Sequence, residues 1–170
     1  MTSEPTKGRA GVLVVSTQAA ADPALDRTGP VIASWLRDRA FTVAEPIIVA
    51  DGGPIAETVT GEVLAGARVV ITTGGTGVTP TDRTPEAVAP LLDLELPGIV
   101  EEIRRRGLAG AGPTALLSRG VAGIAAGGTV VVTLPGSRGG VADGLDVLDG
   151  LLDHVLAQLH GAGHAPRSAS

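Results

Sequence analysis

The chain has 170 residues, a hydrophobic fraction of 44%, a formal net charge of −5 and no cysteine. That length accommodates one domain with its own core, and the missing cysteines exclude a disulfide frame, a thiolate metal site and a cysteine nucleophile. The acidic balance, with Trp35 and Phe41 as the only aromatic residues, argues against nucleic acid as a partner, either as a polyanion or as stacked bases.

Met1 to Arg9 is polar, with Pro5 and Gly8, and reads as a flexible leader without the apolar core of a signal peptide. No run approaches the roughly 18 apolar residues that a membrane span requires. The expectation is a soluble, cytoplasmic protein with one domain over residues 10–160 and a disordered tail over 161–170.

Val12 to Val15 predicts a first strand, ending at Ser16-Thr17-Gln18, followed by a loop of small residues to Asp26. A helix follows from Thr28-Gly29-Pro30, with Val31, Ile32, Trp35 and Leu36 on one stripe. Phe41 to Ala50 predicts a second strand, in which Pro46 marks an edge or an interruption because it cannot donate to a ladder. After Asp51-Gly52-Gly53-Pro54, a second helix carries Ile55, Val59 and Val63.

Val69 to Thr73 is a short apolar and β-branched run, the pattern of a central strand covered on both faces. It runs into Gly74-Gly75-Thr76-Gly77, and Thr84, Pro85 and Glu86 then predict a helix start with Thr84 as N-cap. Leu91 to Leu96 reads as an apolar-acidic link, and Pro97-Gly98 opens a helix to about Gly107. On that helix Glu101, Glu102, Arg104, Arg105 and Arg106 have the spacing of a solvated, paired face. Val121 to Ala125 and Thr129 to Leu134 around Gly127-Gly128 predict a hairpin, and Val141 to Leu159 one long amphipathic helix.

Alternating strands and helices with short connections predict an α/β domain with a parallel sheet. Ligands of such sheets bind at the carboxyl ends of the strands. Ser16, Asp51 and Thr73-Gly74 each follow a predicted strand, so all three belong on that edge.

The Gly-rich turn matches neither a P-loop, since no Gly-Lys pair occurs, nor a dinucleotide fingerprint, which Pro80 breaks. An anion site stands against a plain tight turn, with Thr72, Thr73, Thr76 and Thr79 adding hydroxyl donors to the backbone amides. Asp51 and Asp82 are the chemical candidates, against a helix cap and a turn residue respectively. Together they offer hard oxygen ligands for Mg²⁺. Asp26 fits either role. His154, His160 and His164 lie on or beyond the last helix and carry no catalytic pattern, and neither a zinc site nor a serine-hydrolase elbow is supported.

Thr73-Gly74-Gly75-Thr76-Gly77 followed by Asp82 and Thr84-Pro85-Glu86-Ala87 resembles the MoaB/Mog family of molybdenum cofactor biosynthesis proteins, the molybdopterin adenylyltransferases. Val15-Ser16, Asp26 to Pro30, Asp51, Pro97-Gly98 with Glu101 and Arg104, Leu117-Ser118-Arg119 with Gly123-Ile124, and Leu134-Pro135-Gly136 extend the similarity over residues 10–158.

The resemblance implies a three-layer α/β/α sandwich around a mostly parallel sheet with a small antiparallel excursion, assembled as homotrimers, with pairing of trimers into hexamers left open. It implies Mg²⁺-dependent adenylylation of molybdopterin by ATP, giving adenylyl-molybdopterin and pyrophosphate. Asp51 and Asp82 would then serve catalysis and Mg²⁺. Thr73, Gly74, Gly75, Thr76 and Gly77 would hold phosphate, and Ser16, Asp26, Ser118, Pro135, Gly136 and Ser137 would bind nucleotide or pterin.

Thr17 stands where many relatives carry Asp, Thr81 where many carry Arg or Lys, and Ser137 to Gly140 lacks a second proline. These departures leave open a catalytically weak paralogue acting as a binding or assembly subunit. A molybdate-inserting enzyme or a nicotinamide-salvage amidohydrolase is opposed by length, since each needs further domains.

Overall fold

A computed structural model describes residues 6–161. Seven strands form one sheet: β1 (Arg9–Val15), β2 (Thr42–Val43), β3 (Ile47–Val49), β4 (Val69–Thr73), β5 (Leu92–Glu95), β6 (Ala122–Ala125) and β7 (Thr129–Leu134). Across the sheet the order is β2-β1-β4-β7-β6-β5, with β3 also paired to β1. β1 pairs in parallel with β2, β3 and β4, and β4 in parallel with β7, while β6 runs antiparallel to both β7 and β5. The antiparallel excursion is therefore the single strand β6, joined to β7 by the expected hairpin.

The helices are α1 (Thr17–Ala21), α2 (Gly29–Arg37), α3 (Ile55–Leu64), α4 (Thr84–Val88), α5 (Pro97–Gly110), α6 (Arg138–Asp149) and α7 (Leu152–Leu159). Alternation along the strands divides the core into two layers. Val12, Val69, Ile71, Val130 and Val132 face Ile32, Leu36, Ile103, Leu145 and Leu148 from α2, α5 and α6. Leu13, Val15, Val70 and Val131 face Ile55, Val59 and Val88 from α3 and α4. β4 is buried at every residue, as expected of a strand between two helical layers. On the α3 side Glu62, 8% exposed, accepts both of its contacts from Arg9 at 2.9 Å.

Several elements depart from the pattern of the sequence. The second strand is split: β2 pairs with β1 at an offset of 33 residues (Arg9 with Thr42) and β3 at 34 (Leu13 with Ile47). The extra residue falls in the Ala44–Pro46 break, where Arg37 donates to the carbonyls of Val43 and Ala44. The apolar-acidic link contains β5, whose Leu94 is 61% exposed, so it is held by its ladder to β6 with little apolar burial. The loop after Ser16 holds α1 and a 3-10 turn over Pro23–Leu25. The long C-terminal helix is two helices separated by Gly150 and Leu151. Arg9 already belongs to β1, and Lys7 donates its amide to Ala40 O at 2.8 Å. Residues 162–170, most of the expected tail, and residues 1–5 of the leader lie outside the described residues.

Candidate active site

The carboxyl ends of β1, β3, β4 and β7 lie along one edge of the sheet, and the loops leaving them carry the residues singled out above. β4 and β7 are tied together at that edge. Gly74 N donates to Leu134 O at 3.1 Å, and Thr73 Oγ1 donates to Pro135 O at 2.7 Å. Gly74 and Gly75 take φ of +93° and +66°, values that favour glycine. A Cβ on Gly74 would run into the carbonyl oxygen of Val15, and one on Gly75 into Thr84 Oγ1.

The turn that follows has its carbonyls engaged and its amides open. Gly74 O accepts from Thr84 Oγ1 (2.9 Å), Gly75 O from Thr84 N (3.1 Å), Thr76 O from Arg119 N (2.8 Å) and Gly77 O from Arg119 Nε (2.7 Å). Among the described residues the amides of Gly75, Thr76, Gly77 and Val78 donate to no protein acceptor. A run of unpartnered amides in a glycine turn offers donors to an anion.

Asp82 closes this turn. Its Oδ2 accepts from Thr79 N at 3.0 Å, and a Cβ on Gly77 would stand 2.7 Å from that oxygen. Arg119 also donates to Asp82 O at 3.0 Å and pairs with Glu86. The hydrogen bond from Arg119 is the main reason that the Glu86 carboxyl is held below its ordinary range. Asp51 lies at the end of β3, two strands from β4, about 9–10 Å across the ladder at ordinary strand spacing. Its Oδ2 accepts from Thr17 N at 3.0 Å and from Thr17 Oγ1 at 2.8 Å. Both Oδ1 atoms have no protein partner among the described residues.

The remaining candidates divide between caps and a cavity. Ser16 Oγ accepts from Ala19 N as the N-cap of α1, and Asp26 Oδ1 accepts from Thr28 N and Gly29 N at the start of α2. Ser118, Pro135 and Ser137 line a cavity of about 580 Å³ between α5, the 3-10 turn over Gly112–Leu117 and α6. Ser137 Oγ caps α6 through Gly140 N. The cavity adjoins the Gly-rich turn, because Ser118 Oγ lies 3.2 Å from Thr76 Oγ1 and a Cβ on Gly136 would be 3.3 Å from Gly74 Cα.

With this geometry in view, a profile of the family described as "Probable molybdopterin binding domain" matches residues 11–154. The chain belongs to that family. The molybdopterin-binding domain is 42% identical over 165 residues to the molybdenum cofactor biosynthesis bifunctional protein of Synechococcus elongatus, covering 94% of this chain and 51% of that protein. It is 34% identical to the molybdopterin adenylyltransferase of Pyrococcus furiosus, covering 89% of this chain and 91% of that one. The solved structure of the molybdopterin biosynthesis Mog protein of Mycobacterium ulcerans superposes with a TM-score of 0.84 at 47% identity, covering 92% of this chain and 99% of that one. The chain thus spans about half the length of bifunctional relatives and most of the length of stand-alone ones. The neighbours share the fold that the resemblance implied.

Within this molybdopterin-binding domain, two expectations of local structure are corrected. Thr84 is the first residue of α4 and does not cap it; its buried hydroxyl is given to Gly74 O instead. Arg104 is not part of the paired face formed by Glu102 with Arg105 and Arg106. It lines the cavity and donates to Ser118 O at 3.1 Å. The residue that sequence reasoning gave no role is Arg119, whose partners, two backbone carbonyls and the Glu86 carboxylate, are all remote in the chain. His154 contacts Gln158, and His160 contacts Arg68 and Leu156 O, away from the cavity; His164 lies outside the described residues.

Proposed function

We propose that this domain adenylylates molybdopterin: an oxygen of the terminal phosphate attacks the α-phosphorus of ATP. A new P–O bond forms as the bond to the β-phosphate bridge oxygen breaks, and pyrophosphate leaves with the electron pair. The observation that supports this most is the Gly75–Val78 run of open amides beside a cavity large enough for an organic substrate. Nucleotidyl transfer needs positioning and charge neutralisation more than covalent participation by the protein, and oriented amides offer both.

Mg²⁺ fits as a shared ion more than as a caged one. Among the described residues no group of three or more His, Cys, Asp or Glu side chains could hold a metal. Asp51 and Asp82 each keep one carboxylate oxygen uncommitted, which suits an ion that completes its shell with water and substrate phosphate. These two carboxylates would hold it, and when bound it supplies neutralisation of the phosphate charge. Thr17 and Thr79 fix the orientation of the carboxylates, while Arg119 and Thr84 hold the carbonyls of the turn and leave its amides unpartnered.

The competing reading, a binding or assembly subunit without turnover, draws on Thr17, which occupies Asp51 Oδ2 with both its amide and its hydroxyl. The homotrimer implied by the resemblance would have exposed apolar side chains to cover, among them Leu94, Leu116 and Leu117.

Pyrophosphate release that requires molybdopterin, ATP and Mg²⁺ together, and that is lost in Asp82→Asn and Asp51→Asn with folding unchanged, is the expected result. Tight molybdopterin binding without adenylylated product would replace the transferase reading with the binding one.

A further inference from the structure

The cavity between α5 and α6 has an electrostatic polarity that the proposed reaction does not by itself explain. Among its lining residues Arg104 is the only cation and Asp143 the only carboxylate. Arg104 is drawn toward the turn side through Ser118 O. Asp143 lies six residues beyond Ser137, about 9 Å along the α6 axis, and accepts no hydrogen bond from any described residue. Its Oδ2 would be 3.9 Å from a Cβ on Gly107, so the carboxylate faces the bare backbone of α5. One end of the cavity therefore meets the open amides and the N-terminus of α6, and the other presents a carboxylate with unused acceptors, while Val100 and Ile103 give the cavity apolar lining.

A carboxylate offers acceptors only, and its two oxygens match a pair of adjacent N–H donors. Pterin carries such a pair, the 2-amino group beside N3–H. Adenine presents a donor beside an acceptor at its pairing edge, so one carboxylate oxygen would meet a lone pair. We propose that Asp143 is a specificity-determining residue that receives the 2-amino and N3–H edge of the pterin, placing the heterocycle in the α5–α6 cavity. The phosphate end is then directed toward Gly74–Gly77, and the adenine of ATP is left to a different part of the carboxyl edge. This deepens the proposed function and rests on it for the identity of the pterin.

The test uses the intact chain and two fluorescent probes, 6-hydroxymethylpterin and 6-hydroxymethyl-lumazine, in which a carbonyl replaces the 2-amino group. Asp143→Asn is nearly isosteric, and its melting temperature serves as the check on folding. It should bind the pterin about 10- to 100-fold more weakly, the range expected for lost hydrogen bonds to a charged group, with AMP affinity unchanged. It should also shift preference toward the lumazine, because an amide offers one acceptor and one donor. A merely structural Asp143 would weaken both probes alike and would not reverse their order. Undiminished pterin binding by Asp143→Asn, loss of AMP in place of pterin, or no measurable pterin binding by the unaltered chain each overturns the proposal. Because binding is read without turnover, absence of adenylylation with the specificity shift intact would count against the transferase reading alone.

Discussion

Replacing Arg119 by alanine removes the clamp on the Gly-rich turn while leaving the Arg119 amide bond to Thr76 O in place. Two guanidinium hydrogen bonds disappear, to Gly77 O at 2.7 Å and to Asp82 O at 3.0 Å, along with the Glu86 pair. Fully buried, hydrogen bonds to a charged donor contribute about 1.5–3 kcal/mol each. The Arg119 side chain is 36% exposed, so about 1 kcal/mol apiece is the better figure for the two hydrogen bonds, and the solvent-screened pair with Glu86 adds little. The closed turn should lose roughly 2–3 kcal/mol, which raises its open population roughly 30- to 150-fold. Hydrogen exchange reads this directly, because the amides of Thr79 and Asp82 are bonded within the turn, to Asp82 Oδ2 and Thr79 O. Their exchange should accelerate by that factor while the β4 amides stay protected. Arg119→Lys keeps the charge but cannot span two carbonyls, so it should recover about half of the free energy. In the proposed adenylylation the same variants should lose rate through kcat more than through KM. Exchange at Thr79 and Asp82 unchanged within about threefold in Arg119→Ala would refute the clamp.

Three further outcomes are expected. Gly74→Ala places a side chain at φ +93° against the carbonyl of Val15, and left-handed strain plus overpacking should cost about 2–5 kcal/mol in urea unfolding. Thr84→Val keeps the buried shape but strips Gly74 O of its hydroxyl donor, so about 1–3 kcal/mol should be lost in the same assay, with the turn loosened ahead of the core. Glu102, paired with Arg105 and Arg106, has its carboxyl lowered from 4.5 to about 2. A depressed carboxyl contributes stability that is complete above the unfolded value and fades as pH falls through the folded one. Its share should therefore be constant above about pH 5 and shrink between pH 4.5 and 2, and an acid titration of Glu102→Gln should lack that limb.

The parts of the fold that were legible in the sequence are those with a strong apolar signal. Val69 to Thr73 reads as a central strand because every residue of it is buried, and Gly74 and Gly75 read as a turn because the Val15 carbonyl and the Thr84 side chain leave no room for a Cβ. β5 was missed because an edge strand with Leu94 exposed carries almost no burial pattern. The split of the C-terminal helix was missed because Val147, Leu148, Leu152 and Leu156 keep facing the same core on both sides of the break. At the site, aspartates after strands were visible as candidates, but their surroundings were not. Thr17 and Asp51 are 34 positions apart, and Arg119 reaches carbonyls 37 and 42 positions away. No local spacing encodes such contacts. Asp143 was hidden by a helix periodicity that accounts for its apolar neighbours and says nothing of a carboxylate at their margin.

The central position of β4 has a consequence for how the chain is made. Its neighbours in the sheet are β1, already synthesised, and β7, which ends at Leu134. At the usual pace of a ribosome, the interval between residues 73 and 134 lasts about 3–12 s. Throughout it the Val-Val-Ile-Thr-Thr segment has one open hydrogen-bonding edge and no charge of its own, the composition that invites pairing with another nascent chain. The Gly-rich turn adds three glycines and a proline directly behind it. Those residues resist extended pairing and stop the sticky segment from lengthening. The same stretch that leaves four amides unpartnered thereby guards the chain during its emergence.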